Sequence, residues 1–113
     1  MERKNISNVT KTLRYGQSTP SSKIKKIVNT PTYETNGEYL LIVKDVESCT
    51  VTLDGYTTES VIIKVLTKTT IIPKNTLIDE QYDEIEVDNG ACVELEYVQG
   101  SWYIISSDGM KLE

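Results

Sequence analysis

Histidine and phenylalanine are absent from this chain of 113 residues, alanine occurs once (Ala91), and there are only two cysteines and three prolines. Each scarcity excludes something. Without histidine there is no usual zinc ligand, no common general base, and no side chain that ordinarily changes charge near neutral pH. Neither Cys49 nor Cys92 therefore has the imidazole that usually activates a nucleophilic thiol. Two cysteines make no disulfide framework, and two buried free thiols are expected in preference to one bridge. The phosphate-cradling and nucleophile-elbow motifs G-x-G-x-x-G, G-x-x-x-x-G-K-[ST] and G-x-S-x-G do not occur. No stretch approaches the roughly 20 apolar residues that span a bilayer, and the opening MERKNISNVTKTLRYG lacks the apolar run of a secretory signal. The sequons Asn5-Ile6-Ser7 and Asn8-Val9-Thr10 accordingly read as chance.

What is abundant is equally plain. Thr, Ile and Val supply 36 residues, alongside seven Tyr and one Trp. Side chains branched at Cβ lose rotamer freedom in a helix and pack well on a pleated surface, so the class is all-β. Asn36-Gly37, Asp54-Gly55, Asn89-Gly90 and Asp108-Gly109 tolerate the positive φ of tight turns, with Gln99-Gly100 a weaker fifth signal. Between them lie short apolar runs at about 39–43, 49–53, 60–66, 69–72, 84–87, 91–98 and 101–106. The spacing predicts a small antiparallel β-sandwich or roll over 37–113, closed by a hairpin at Gln99-Gly100. No tandem repeat is evident.

Two kinds of strand are expected. In 91–98, Ala91, Val93, Leu95 and Tyr97 share one face, while Glu94 and Glu96 share the other. YLLIV, VII, II and WYII are instead apolar on both faces, more than so small a domain can bury by itself. The excess predicts self-association. Ile62, Ile72 and Ile105 are the candidate interface residues, and Trp102, Ile104, Val93, Leu95, Ile63 and Val65 the candidate core.

Charge divides the chain. Residues 1–26 hold seven basic residues against one acid, a net +6, and residues 27–113 hold five lysines against sixteen acids, a net −11. The first 36 residues are rich in Ser, Thr and Asn and show no sustained period, which predicts an extended basic arm over 1–36 that orders on contact. Its Arg3, Lys4, Lys11, Arg14, Lys23, Lys25 and Lys26 are the candidate partner-binding residues. Nucleic acid is not expected as a partner: the β domain repels phosphate, and Tyr15 and Tyr33 are too sparse for base stacking. The acidic stretch Asp79, Glu80, Asp83, Glu84, Glu86 and Asp88 fails the EF-hand pattern at its third and fifth places and reads as a solvated turn. No enzyme, metal or cofactor is expected.

The closing two thirds carry a further signal. TVTLDGYTTESVIIK (50–64), TTIIPKNTLIDEQYDEIEVDNGACVELEYV (69–98) and GSWYIISSDG (100–109) resemble small structural modules of tailed bacteriophages, found in head fibres, decoration proteins and tail fibres. The resemblance covers roughly 38–113 and lies in pattern more than in sequence. It implies a homotrimer packed about a threefold axis, no catalysis, and a place in the virion. It also implies that an N-terminal segment attaches to the major capsid protein or another virion protein. The alternative within such modules is a tail-fibre or receptor-binding role, with Trp102, Tyr103 and Tyr56 as the platform for a host surface glycan.

Overall fold

A computed structural model of the chain describes residues 23–108, and they contain nine strands and no α-helix. The strands are β1 (Ile24–Val28), β2 (Thr32–Glu34), β3 (Glu38–Val43), β4 (Ser48–Leu53), β5 (Ser60–Val65), β6 (Lys68–Pro73), β7 (Ile85–Val87), β8 (Cys92–Val98) and β9 (Ser101–Asp108). They make two facing sheets, β1-β3-β5-β8-β9 and β2-β4-β6-β7. The all-β expectation holds.

The expected antiparallel sandwich does not. Through the first six strands the chain alternates between sheets, and each strand stacks parallel on its predecessor in the same sheet. Three two-strand coils result: β1 with β2, β3 with β4, β5 with β6. A parallel pair needs a crossover, and here the crossover is a strand of the opposite sheet. Only after β6 does the chain reverse, with β7 antiparallel to β6, β8 to β5 and β9 to β8. The coils differ in length. The register steps 15 residues from Lys25 to Leu40 but 22 from Leu40 to Ile62, so the stacking leaves no fixed period in the sequence.

The segment 23–36, read from the sequence as part of the arm, supplies β1 and β2. Val28 belongs to the core at 2 % exposure, and the Thr35 hydroxyl accepts the Asp54 N–H at 2.8 Å, tying the end of β2 to the corner after β4. Arg3, Lys4, Lys11 and Arg14 lie outside the described residues.

Alternation along each strand fills the space between the sheets. Leu41, Val43, Val61, Ile63, Val65, Val93, Leu95 and Trp102 of the first sheet meet Cys49, Val51, Leu53, Ile71, Ile85 and Val87 of the second, all buried. Of the candidate core residues, five are fully buried and Ile104 is half-buried against them. Cys49 and Cys92 are free thiols; burial raises the Cys49 pKa, and Cys92 is half-buried on the outer face of the first sheet.

Among the described residues, the turn dipeptides form corners of two kinds. Asn36-Gly37, Asp54-Gly55 and Asn89-Gly90 carry the chain across to the other sheet. Gln99-Gly100 alone makes a hairpin, with φ of 50° and 89° joining β8 to β9. At Gly55 the constraint is contact rather than dihedral: a Cβ there would stand 2.3 Å from the Tyr97 ring, which in turn packs on Trp102 with centroids 5.3 Å apart.

Candidate functional site

The two ends of the coil stack are finished differently. At the C-terminal end, β9 is folded over by residues 77–79, where the Trp102 N–H donates to the Leu77 carbonyl and the Asp79 N–H to the Trp102 carbonyl. Asp79 Oδ1 accepts the next free donor, the Ile104 N–H, at 2.9 Å. Beyond it a bulge at Ile105 breaks the ladder. Glu80 accepts the Tyr103 hydroxyl at 2.9 Å, a bond that raises the Tyr103 pKa. Glu86 pairs with Lys68 at 2.9 Å. The acidic stretch is thus partly spent on capping, and among the described residues no group of three or more His, Cys, Asp or Glu is placed to hold a metal ion.

Among the described residues the N-terminal end has no such lid: no strand lies on the outer side of β1 or β2. Lys25 and Lys26 are exposed there, as are Ile24 (51 %) and Ile27 (54 %). Lys26 sits beside inward-facing Leu41 in the register, and its ammonium reaches across the mouth of the core to lie 5.6 Å from the centre of the Tyr33 ring. Lys23 lies 4.6 Å over the ring of Tyr39. Both are cation–π distances. The Tyr33 hydroxyl donates to Glu38, a buried carboxylate whose other oxygen accepts the Asn36 N–H at 2.7 Å. Burial first, then the Glu38 bond and charge, push the Tyr33 pKa up to about 12.

The outer face of the first sheet carries the largest departure from a simple two-layer pattern. Since Leu41, Val43 and Ile63 point inward, their neighbours point out. The register sets Ile27 beside Ile42 and Leu40 beside Ile62, which makes a four-residue apolar strip over β1, β3 and β5. Lys25, Lys64, Cys92 and Glu94 border it. The corresponding face of the second sheet is hydroxyl-rich: Thr32, Thr50 and Thr70 share one row, and Glu34, Thr52 and Ile72 the next.

The three candidate interface residues therefore stand apart. Ile62 lies in the apolar strip, Ile72 among threonines on the opposite outer face, and Ile105 at the bulge of the β9 edge, 55 % exposed. The candidate glycan platform also divides. Trp102 is in the core at 0 % exposure and Tyr103 is tied to Glu80, while Tyr56 is 91 % exposed on the corner between β4 and β5. That corner is closely hydrogen-bonded. Asp54 Oδ1 accepts the Tyr56 N–H at 2.9 Å, the Asp54 carbonyl accepts the Thr57 and Thr58 N–H groups, and Thr58 Oγ1 accepts the Gly37 N–H at 2.7 Å. Beside it opens a cleft of about 450 Å³ whose lining includes Gly37, Tyr39, Gly55, Tyr56, Glu59 and Ser60.

Sequence reasoning missed Leu40 and Ile42 as surface residues, because the apolar run YLLIV gives no sign of which face meets water. It missed Tyr39 for the same reason. The lysines were visible, but their position on the rim of a sheet was not. No family of known proteins matches this chain, and no curated protein matches it.

Proposed function

We propose that this protein is a non-enzymatic structural subunit of a bacteriophage virion, a head fibre or capsid-decoration protein that assembles as a homotrimer. Its N-terminal residues attach it to the major capsid protein or another virion protein. The observation that carries the assembly is the strip of Ile27, Leu40, Ile42 and Ile62 on an outer sheet face, apolar surface that a second copy would cover. The resemblance over 38–113 supports the virion, and the concentration of positive charge before residue 27 supports attachment from that end.

Deleting residues 1–22 tests the attachment. The cut spares β1, so the product should remain a folded, soluble trimer and fail to decorate particles, as read by antibody labelling of virions under the electron microscope. Labelling at the capsid by the intact protein is the expected result. Labelling at the tail tip, or normal decoration by the truncated protein, would sink this reading.

The corner cleft favours a second reading, a receptor-binding module that contacts a host surface glycan. Tyr56 and Tyr39 offer aromatic faces, and the hydroxyl and carboxylate groups of Ser60 and Glu59 suit a sugar's edge. On a panel of immobilised bacterial surface polysaccharides, binding that Tyr56→Ala lowers at least ~10-fold is the outcome this reading needs. If no polysaccharide is retained, the cleft is not a glycan site.

A further inference from the structure

We propose that the outer edge of β1 is a docking site for an extended acidic segment of another protein, which adds to the first sheet as a sixth strand. The inference stands on the edge itself and does not depend on the virion reading.

An edge strand presents a row of unpaired N–H and C=O groups, and proteins commonly cover, shorten or bulge such edges. Among the described residues β9 is covered, whereas β1 has only a register shift between Ile24 and Lys25. Residues 77–79, the Asp79 carboxylate and the bulge at Ile105 close β9. β1 is five residues long, pairs with β3 on one side, and has no strand on the other among the described residues. Lysines can blunt an edge without any partner. A merely blunted edge, however, would not also expose Ile24 by half its surface.

Charge selects the occupant. β1 and its lead-in carry Lys23, Lys25 and Lys26 and no acid, and residues 1–22 hold Arg3, Lys4, Lys11 and Arg14 against Glu2. The same edge of a second copy is therefore repelled, and the chain's own leading segment offers one acid, Glu2, against four basic residues. An acidic strand is attracted, and backbone bonds then fix it in place. Period-2 alternation suits it to this edge. Acids on one of its faces meet Lys25 on the outer side, and its apolar residues lie toward Ile24 on the inner side, where Lys26 reaches away to the Tyr33 ring.

The test uses the full chain and a fluorescein-labelled peptide of alternating valine and glutamate, blocked at both ends, with binding read by anisotropy. We expect saturable binding that salt weakens and that Lys25→Glu/Lys26→Glu lowers ~10-fold or more, while Lys68→Gln, near the far end of the stack, leaves it unchanged. N-methylating every valine or, separately, every glutamate should abolish binding in one case and spare it in the other, because alternate amides point to opposite edges of a strand. Equal binding of both methylated peptides would reduce the contact to charge and overturn the proposal, as would no binding at all. Loss of binding on deletion of residues 1–22 would assign the peptide to that segment, with the same consequence. So would sedimentation showing self-assembly that Lys26→Glu dissolves, since the edge would then belong to a second copy.

Discussion

Trp102→Ala is expected to cost about 3–5 kcal/mol of folding stability, a large part of what a domain this size possesses. The side chain is fully buried where β9 meets the inner layer, and it packs against Tyr97. Its strand position is held by the segment 77–79 through backbone bonds on both sides of the residue. Truncation would leave a cavity beneath the lid of the stack and free the Tyr97 ring that fills the space at Gly55. Trp102→Phe should behave differently. The indole Nε1 is buried without a partner among the described residues, so phenylalanine removes an unsatisfied donor while keeping a ring against Tyr97. Its cost should stay below about 1.5 kcal/mol. Urea unfolding followed by far-ultraviolet circular dichroism measures both. An alanine variant as stable as the parent would show that the lid contributes nothing to the body.

Ile62→Asp should convert the proposed trimer to a folded monomer. The side chain is half-exposed at the β5 end of the apolar strip in a single copy, so the isolated subunit tolerates a carboxylate there. Once the face is covered, an unpaired carboxylate costs several kcal/mol. Native mass spectrometry at micromolar concentration reads the outcome. Ile72→Asp and Ile105→Asp belong in the same experiment, because they probe the opposite outer face and the β9 edge. Dissociation by Ile72→Asp alone would move the interface to the threonine-rich face, and three intact, equally stable trimers would refute all three positions.

The strands themselves were legible in the sequence because β-branched runs between turn dipeptides report local geometry. The alternation in 91–98 also named its buried face correctly, with Val93 and Leu95 inside and Glu94 and Glu96 outside. What could not be read was the partner of each strand. Asp54-Gly55 looks the same whether the chain doubles back in its own sheet or crosses to the other, since both need a tight corner. The true hairpin at Gln99-Gly100 carried a weaker signal than the corners did. The basic segment is a related case. Its composition correctly marked where cations collect, but nothing local distinguished an unstructured arm from a strand whose pairing residues lie 15 positions away. The apolar strip was half visible: Ile62 was singled out, while its neighbours Leu40 and Ile42 were hidden in a run whose two faces look alike.

The alternation of the first six strands between two sheets also constrains how the chain can assemble. No two strands adjacent in sequence among those six are paired, so none of them can form as a local hairpin. Each parallel pair must first close a loop of one full coil, and neither sheet can grow without the other growing in step. Among the described residues, the hairpin of β8 and β9 is the one tight local nucleus. Its neighbour in the sheet is β5, more than a coil upstream, where Val61 lies beside Leu95. The body is therefore expected to fold slowly for its size, since nearly every strand pairing in it closes a long loop.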